Sequence, residues 1–77
     1  MNESCQILKI IGEKIRKERT KQGISQSQLG FESGLTREFI NKIEAGKLNI
    51  SICNLLKISN SLNLKLQDLL NTDFDNI

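Results

Sequence analysis

The chain has 77 residues, 38% of them hydrophobic, and contains no His, Trp, Tyr or Pro. Domains rarely fall below roughly 50 residues, so this length suits one small domain with no second module; a chain so short buries only about 60% of its unfolded surface, which makes a second copy a natural source of further core. The net charge of +2 is unevenly placed, with nine Lys/Arg against six Glu over residues 1–50 and two Lys against three Asp beyond, which points to one basic face.

No run approaches the roughly 18 apolar residues of a membrane span, and the segment MNESCQILKIIG lacks a basic stretch followed by an uninterrupted apolar one. A cytoplasmic protein is expected, with no membrane partner. Cys5 and Cys53 are far apart, and without histidine they cannot complete a four-ligand zinc site, so both read as free thiols in a reducing compartment. The sequence has no phosphate-binding glycine loop and no paired nucleophile and base. No catalytic residue, metal, cofactor or small-molecule substrate is therefore expected.

The first element is a helix from about Ser4 to Gln22, whose apolar stripe is Ile7, Leu8, Ile11 and Ile15 at spacings of three and four. Lys9, Lys14, Arg16, Lys17 and Lys21 fall largely off the stripe, and the basic run Lys14-Ile15-Arg16-Lys17 is expected in solvent rather than on DNA. Gly12 lies inside this helix, where glycine costs up to about 1 kcal/mol relative to Ala, a sign that another backbone passes close by. Ser25-Gln26-Ser27-Gln28 reads as a capping box opening a second helix that ends near Ser33. Thr36 caps a third helix, Arg37 to Ala45, and Ser51 a fourth, Ile52 to Leu62, broken at Asn63. Leu64 to Asn71 forms a fifth, followed by a frayed tail over 72–77. Gly23, Gly34 and Gly46 each follow an apolar-periodic stretch, where a left-handed residue closes a helix.

The fold class expected is all-α, a five-helix domain with its core over about residues 5–70. Residues 26–45 form two helices of about two turns joined through Ser33, Gly34 and Leu35, which is a helix-turn-helix pattern. Its demanding positions are filled together: Leu29, a small residue at Gly30 where the helices cross, Gly34 in the turn, and Leu35, Ile40 and Ile43 as an apolar wedge. The wedge leaves Thr36, Arg37, Glu38, Asn41 and Lys42 on the outer face of the third helix. Arg and Lys can donate to guanine O6 and N7, Glu can accept from the cytosine amino group and Asn can pair with adenine, all in the major groove of double-stranded DNA. Gln26, with Lys47 and Asn49 just past the third helix, suits phosphate.

The segment SQSQLGFESGLTREFINKIEAGKLNISICNLLKISNSL resembles the lambda-repressor-like, Xre-type helix-turn-helix domains of bacteria and phages, over roughly residues 8–70. The resemblance implies a five-helix domain whose third helix is the recognition helix, acting as a homodimer on a near-palindromic operator. The stretch from Phe31 through GLTREFINKIEAGK is also similar to the small restriction-modification controller proteins. In the Xre-type family an Arg late in the first helix pairs with the Glu ending the third, which implies an ion pair between Arg19 and Glu44. Two positions depart from the family pattern: Gly30 replaces the commoner Ala, and Ile50 stands where Pro often precedes the fourth helix.

The plainer alternatives are an αα corner that never meets DNA, and a solvated third helix paired through Glu38 and Lys42. The apolar C-terminal segment divides into Leu64 and Leu69, expected to face inward, and Leu66, Leu70 and Phe74, expected at a dimer interface. A rival of another class is an antitoxin-like protein-binding module in which DNA binding is secondary.

Overall fold

The computed structural model describes residues 6–71. Cys5, the expected helix start at Ser4, the tail over 72–77 and with it the expected interface residue Phe74 lie outside the described residues. Five helices follow one another: α1 (Gln6–Lys21), α2 (Gln26–Ser33), α3 (Arg37–Glu44), α4 (Ile52–Ser61) and α5 (Leu66–Leu70), with no strand among the described residues. The described residues therefore form an all-α fold of five helices.

Each short helix begins where a side-chain hydroxyl satisfies an otherwise unpaired backbone donor. Ser25 Oγ accepts from Gln28 N at 3.0 Å, Thr36 Oγ1 from Phe39 N at 3.0 Å, and Ser51 Oγ from Asn54 N at 3.1 Å. The reciprocal arm of the capping box is not made: the Gln28 amide instead donates to Glu32 Oε2 at 3.0 Å, one turn on. α5 starts two residues later than the apolar pattern suggests. Asn63 takes a left-handed φ of 59°, and the Asp68 carboxylate accepts from Lys65 N at 2.9 Å, which makes Lys65 the cap.

The core gathers from every helix. Ile11 and Ile15 of α1, Leu29 of α2, Ile40 and Ile43 of α3, Leu55 and Ile58 of α4, Leu62 beyond it and Leu69 of α5 form one buried cluster. Burying each of these side chains stabilises by about 1.5–3 kcal/mol before chain entropy is counted. The crossing of α1 over α3 needs Gly12, which is buried; a Cβ there would collide with the carbonyl oxygens of Ile43 and Glu44. At Gly30 a Cβ would lie 3.0 Å from the Thr36 carbonyl carbon, so α2 and the start of α3 sit slightly closer than Ala allows without a shift.

Two side chains tie the periphery to this core through three long-range hydrogen bonds. Lys14 Nζ, half-buried rather than free in solvent, donates to Asn71 O and more weakly to Asp68 O, closing the C-terminal end of α5. Gln22 Nε2 donates to Leu62 O at 2.7 Å, joining the end of α1 to the end of α4.

Candidate nucleic-acid interface

α3 is eight residues long and strongly two-sided. Ile40 and Ile43 are buried and Phe39 and Leu35 half-buried, so the helix is seated on the core by its inner face. Gly34 closes α2 at φ 75°, and the Leu35 N–H returns to Gly30 O at 2.7 Å, which makes the turn short and stiff.

The structure brings Thr36, Arg37, Glu38, Asn41 and Lys42 to the outer face of α3, all exposed, and Lys47 and Asn49 to the exposed loop that follows. Arg37 and Glu38 lie 3.7 Å apart at the tip, with 57% and 73% of their side chains in solvent. Glu38 thus leans on its chain neighbour rather than on Lys42, in a pairing that solvent makes weak and that leaves both groups available. Thr36 serves as cap through its oxygen lone pair, and its hydroxyl hydrogen remains a donor.

Gln26 differs from the others in being half-buried and held. Its Nε2 donates to Glu44 Oε1 at 3.0 Å, and its Oε1 accepts from Asn41 Nδ2 at 3.3 Å. Glu44 is itself clamped by Arg19, whose Nε donates to Oε2 at 2.6 Å and whose Nη2 donates to Oε1 at 3.0 Å, while Nη1 reaches Ile24 O at 2.8 Å. Only 11% of the Arg19 and 3% of the Glu44 side chain is exposed. This bidentate pair joins α1, α2 and the end of α3 at one point, immediately beneath the polar face.

The apolar surface is less obvious in the sequence. Leu66 and Leu70, expected at an interface, are half-buried and spend part of their surface on their own core. Leu69 is buried as expected, and Leu64 is half-buried against the same core. Among the described residues the large apolar side chains left in solvent are instead Phe31 on α2, at 86%, and Ile52 and Leu56 on α4, at 62% and 45%. The i, i+4 spacing of Ile52 and Leu56 would have revealed the second patch, since both fall beside the stripe formed by Leu55, Ile58, Ser59 and Leu62.

A buried wedge, a recognition-type helix with a polar outer face and flanking basic residues define a helix-turn-helix regulator, a class that works by binding DNA. The helix-turn-helix family model matches residues 15–69, and the chain belongs to that family of DNA-binding transcriptional regulators. It is 42% identical over 69 residues to the control protein C.BamHI of Bacillus amyloliquefaciens, a match covering 88% of this chain and 83% of that protein. Among solved structures it is similar to the restriction-modification controller protein C.AhdI from Aeromonas hydrophila, with 37% identity, a TM-score of 0.79, and coverage of 80% of this chain and 94% of that one. It is also similar to the P22 c2 repressor, solved in complex with a synthetic operator, at 33% identity and a TM-score of 0.77 over 83% of this chain and 97% of that one. The family consists of regulators, not enzymes. No helix among the described residues is long and apolar enough to cross a membrane.

Proposed function

We propose that this chain is a sequence-specific transcriptional regulator of the restriction-modification controller kind, binding a near-palindromic operator as a homodimer. The observation that carries it is the outer face of α3: Thr36, Arg37, Glu38, Asn41 and Lys42 stand exposed together on a helix whose other face is locked into the core. Arg37, Glu38, Asn41 and Lys42 supply both donors and acceptors for base edges, whereas Gln26, Lys47 and Asn49 contact phosphate and set the register. Two such helices enter successive major grooves about 34 Å apart. Occupancy then acts by position, excluding polymerase over a promoter or recruiting it from just upstream. Such a regulator works in the cytoplasm, where the operator is.

Support for the homodimer comes from the α4 and α5 surface. Lys57, Asn60 and Ser61 of α4 line a shallow groove against Glu32 and Ser33 of α2. Ile52 and Leu56 of α4 are exposed, and Leu66 and Leu70 of α5, which packs against α4, are partly so, so this surface carries apolar side chains from both helices. A second copy related by a twofold axis would cover this surface with its own equivalent.

The test is selection of bound duplexes from a random library by the purified protein, followed by titration of the winner at several salt concentrations. A palindrome with half-sites about one helical turn apart is the expected product. Binding that enriches no sequence and merely weakens as salt rises would reduce the interaction to phosphate attraction. In that event the exposed Phe31 favours the second reading, a protein-binding module, which co-purification with a stoichiometric protein partner would establish.

A further inference from the structure

Resting on the operator-binding reading above, we propose that Gln26 and Glu44 are positioning residues that set which base Asn41 reads. An ionised carboxylate can only accept hydrogen bonds, and Glu44 is held by Arg19 through both oxygens. Gln26 can therefore meet Glu44 Oε1 only with its amide nitrogen, at 3.0 Å. That choice turns Gln26 Oε1, which can only accept, toward α3. Asn41 in turn can meet Gln26 only with its Nδ2, at 3.3 Å.

The polarity of a buried ion pair is thus passed through the Gln26 amide to the exposed amide of Asn41. An isolated asparagine on a helix face can present its amide in either of two orientations that differ little in energy. Asn41 is restricted to one: Nδ2 lies on the Gln26 side and Oδ1 on the far side, with the second Nδ2 hydrogen free beside it. This ordered donor and acceptor pair matches adenine, whose N7 accepts and whose N6 donates, in one strand orientation. Gln26 keeps its second Nε2 hydrogen for a phosphate, so positioning Asn41 and clamping the backbone are compatible.

The experiment compares selected-sequence profiles for the full chain and for Gln26→Met, which keeps the length of the side chain and removes its amide. Asn41→Ala first identifies the base pair that Asn41 reads, as the position in each half-site where preference drops by about fivefold or more. Gln26→Met is expected to flatten that same position, to leave the position sensitive to Arg37→Ala unchanged, and to add nothing to the loss at that position when combined with Asn41→Ala. If Met is not accommodated, as judged by thermal unfolding, Gln26→Ala makes the same comparison. A uniform loss of affinity with an unaltered profile would make Gln26 a phosphate clamp alone and overturn the inference while leaving the operator reading intact. Failure of the unmodified chain to enrich any sequence would overturn both.

Discussion

Replacing Arg19 by Met should destabilise the protein by about 3 kcal/mol, at the lower end of the roughly 3–5 kcal/mol found when one partner of a buried ion pair is removed. Met keeps most of the aliphatic stem, so the loss isolates the guanidinium. Three hydrogen bonds disappear, two to Glu44 and one to Ile24 O. The Glu44 carboxylate, 3% exposed, is then left with only the Gln26 amide. That remaining donor, and the 11% exposure of Arg19 that lets water approach, argue for the lower end. The whole domain is stable by about 0.05–0.15 kcal/mol per residue, so the variant retains a small margin. In a domain this size each kcal/mol moves the melting temperature by about 4–8 °C, which gives a drop of about 12–24 °C. Urea or thermal unfolding followed by circular dichroism at one fixed protein concentration measures it, because dimerisation would make the midpoint depend on concentration. The double variant Arg19→Met/Glu44→Leu should recover part of the loss, since no buried charge is left unpaired. A single variant within about 1 kcal/mol of the parent, with no recovery in the double, would refute the assignment of Arg19 and Glu44 as the clamp of the motif.

Three further outcomes are expected. Gly12→Ala should destabilise by about 1–3 kcal/mol even though it gains up to about 1 kcal/mol of helix propensity, because the added methyl meets the backbone carbonyls of Ile43 and Glu44; an unchanged or raised melting temperature would show that α1 and α3 can separate freely. Arg37→Ala should weaken operator binding by about 1–3 kcal/mol and relax one base pair per half-site, while Lys47→Ala weakens all duplexes alike; competition against non-specific duplex separates the two, and equal losses for Arg37→Ala would remove it from the base-reading face. Leu56→Glu should shift the chain towards monomer in sedimentation with little change in monomer stability, since Leu56 is 45% exposed. Leu70→Glu is a less selective probe, because half-buried Leu70 also packs on its own core; an unchanged dimer for Leu56→Glu would place the contact elsewhere.

The helices, their caps and the helix-turn-helix were legible because each depends on signals within a few residues. Ser25, Thr36 and Ser51 bond donors three positions on, and Gly34 takes a conformation that side-chain-bearing residues avoid. The outer face of α3 could be read from helical period alone, once Leu35, Ile40 and Ile43 were assigned inward. Gly12 announced a close approach without naming its partner, and the end of α3 is that partner. Other features depend on side chains distant in sequence. Whether Lys14 stayed in solvent or capped α5, and whether Leu66 and Leu70 were free or partly used by the core, depended on packing between helices. The relay from Arg19 through Glu44 and Gln26 to Asn41 joins three helices, and its last two steps had no signal in the sequence. Local propensity and periodicity choose each helix and its inward face, because backbone hydrogen bonds and apolar spacing act over one or two turns. Which polar groups meet is chosen by the crossing of helices, because a hydrogen bond exists only where two distant atoms are brought within about 3 Å in the right orientation.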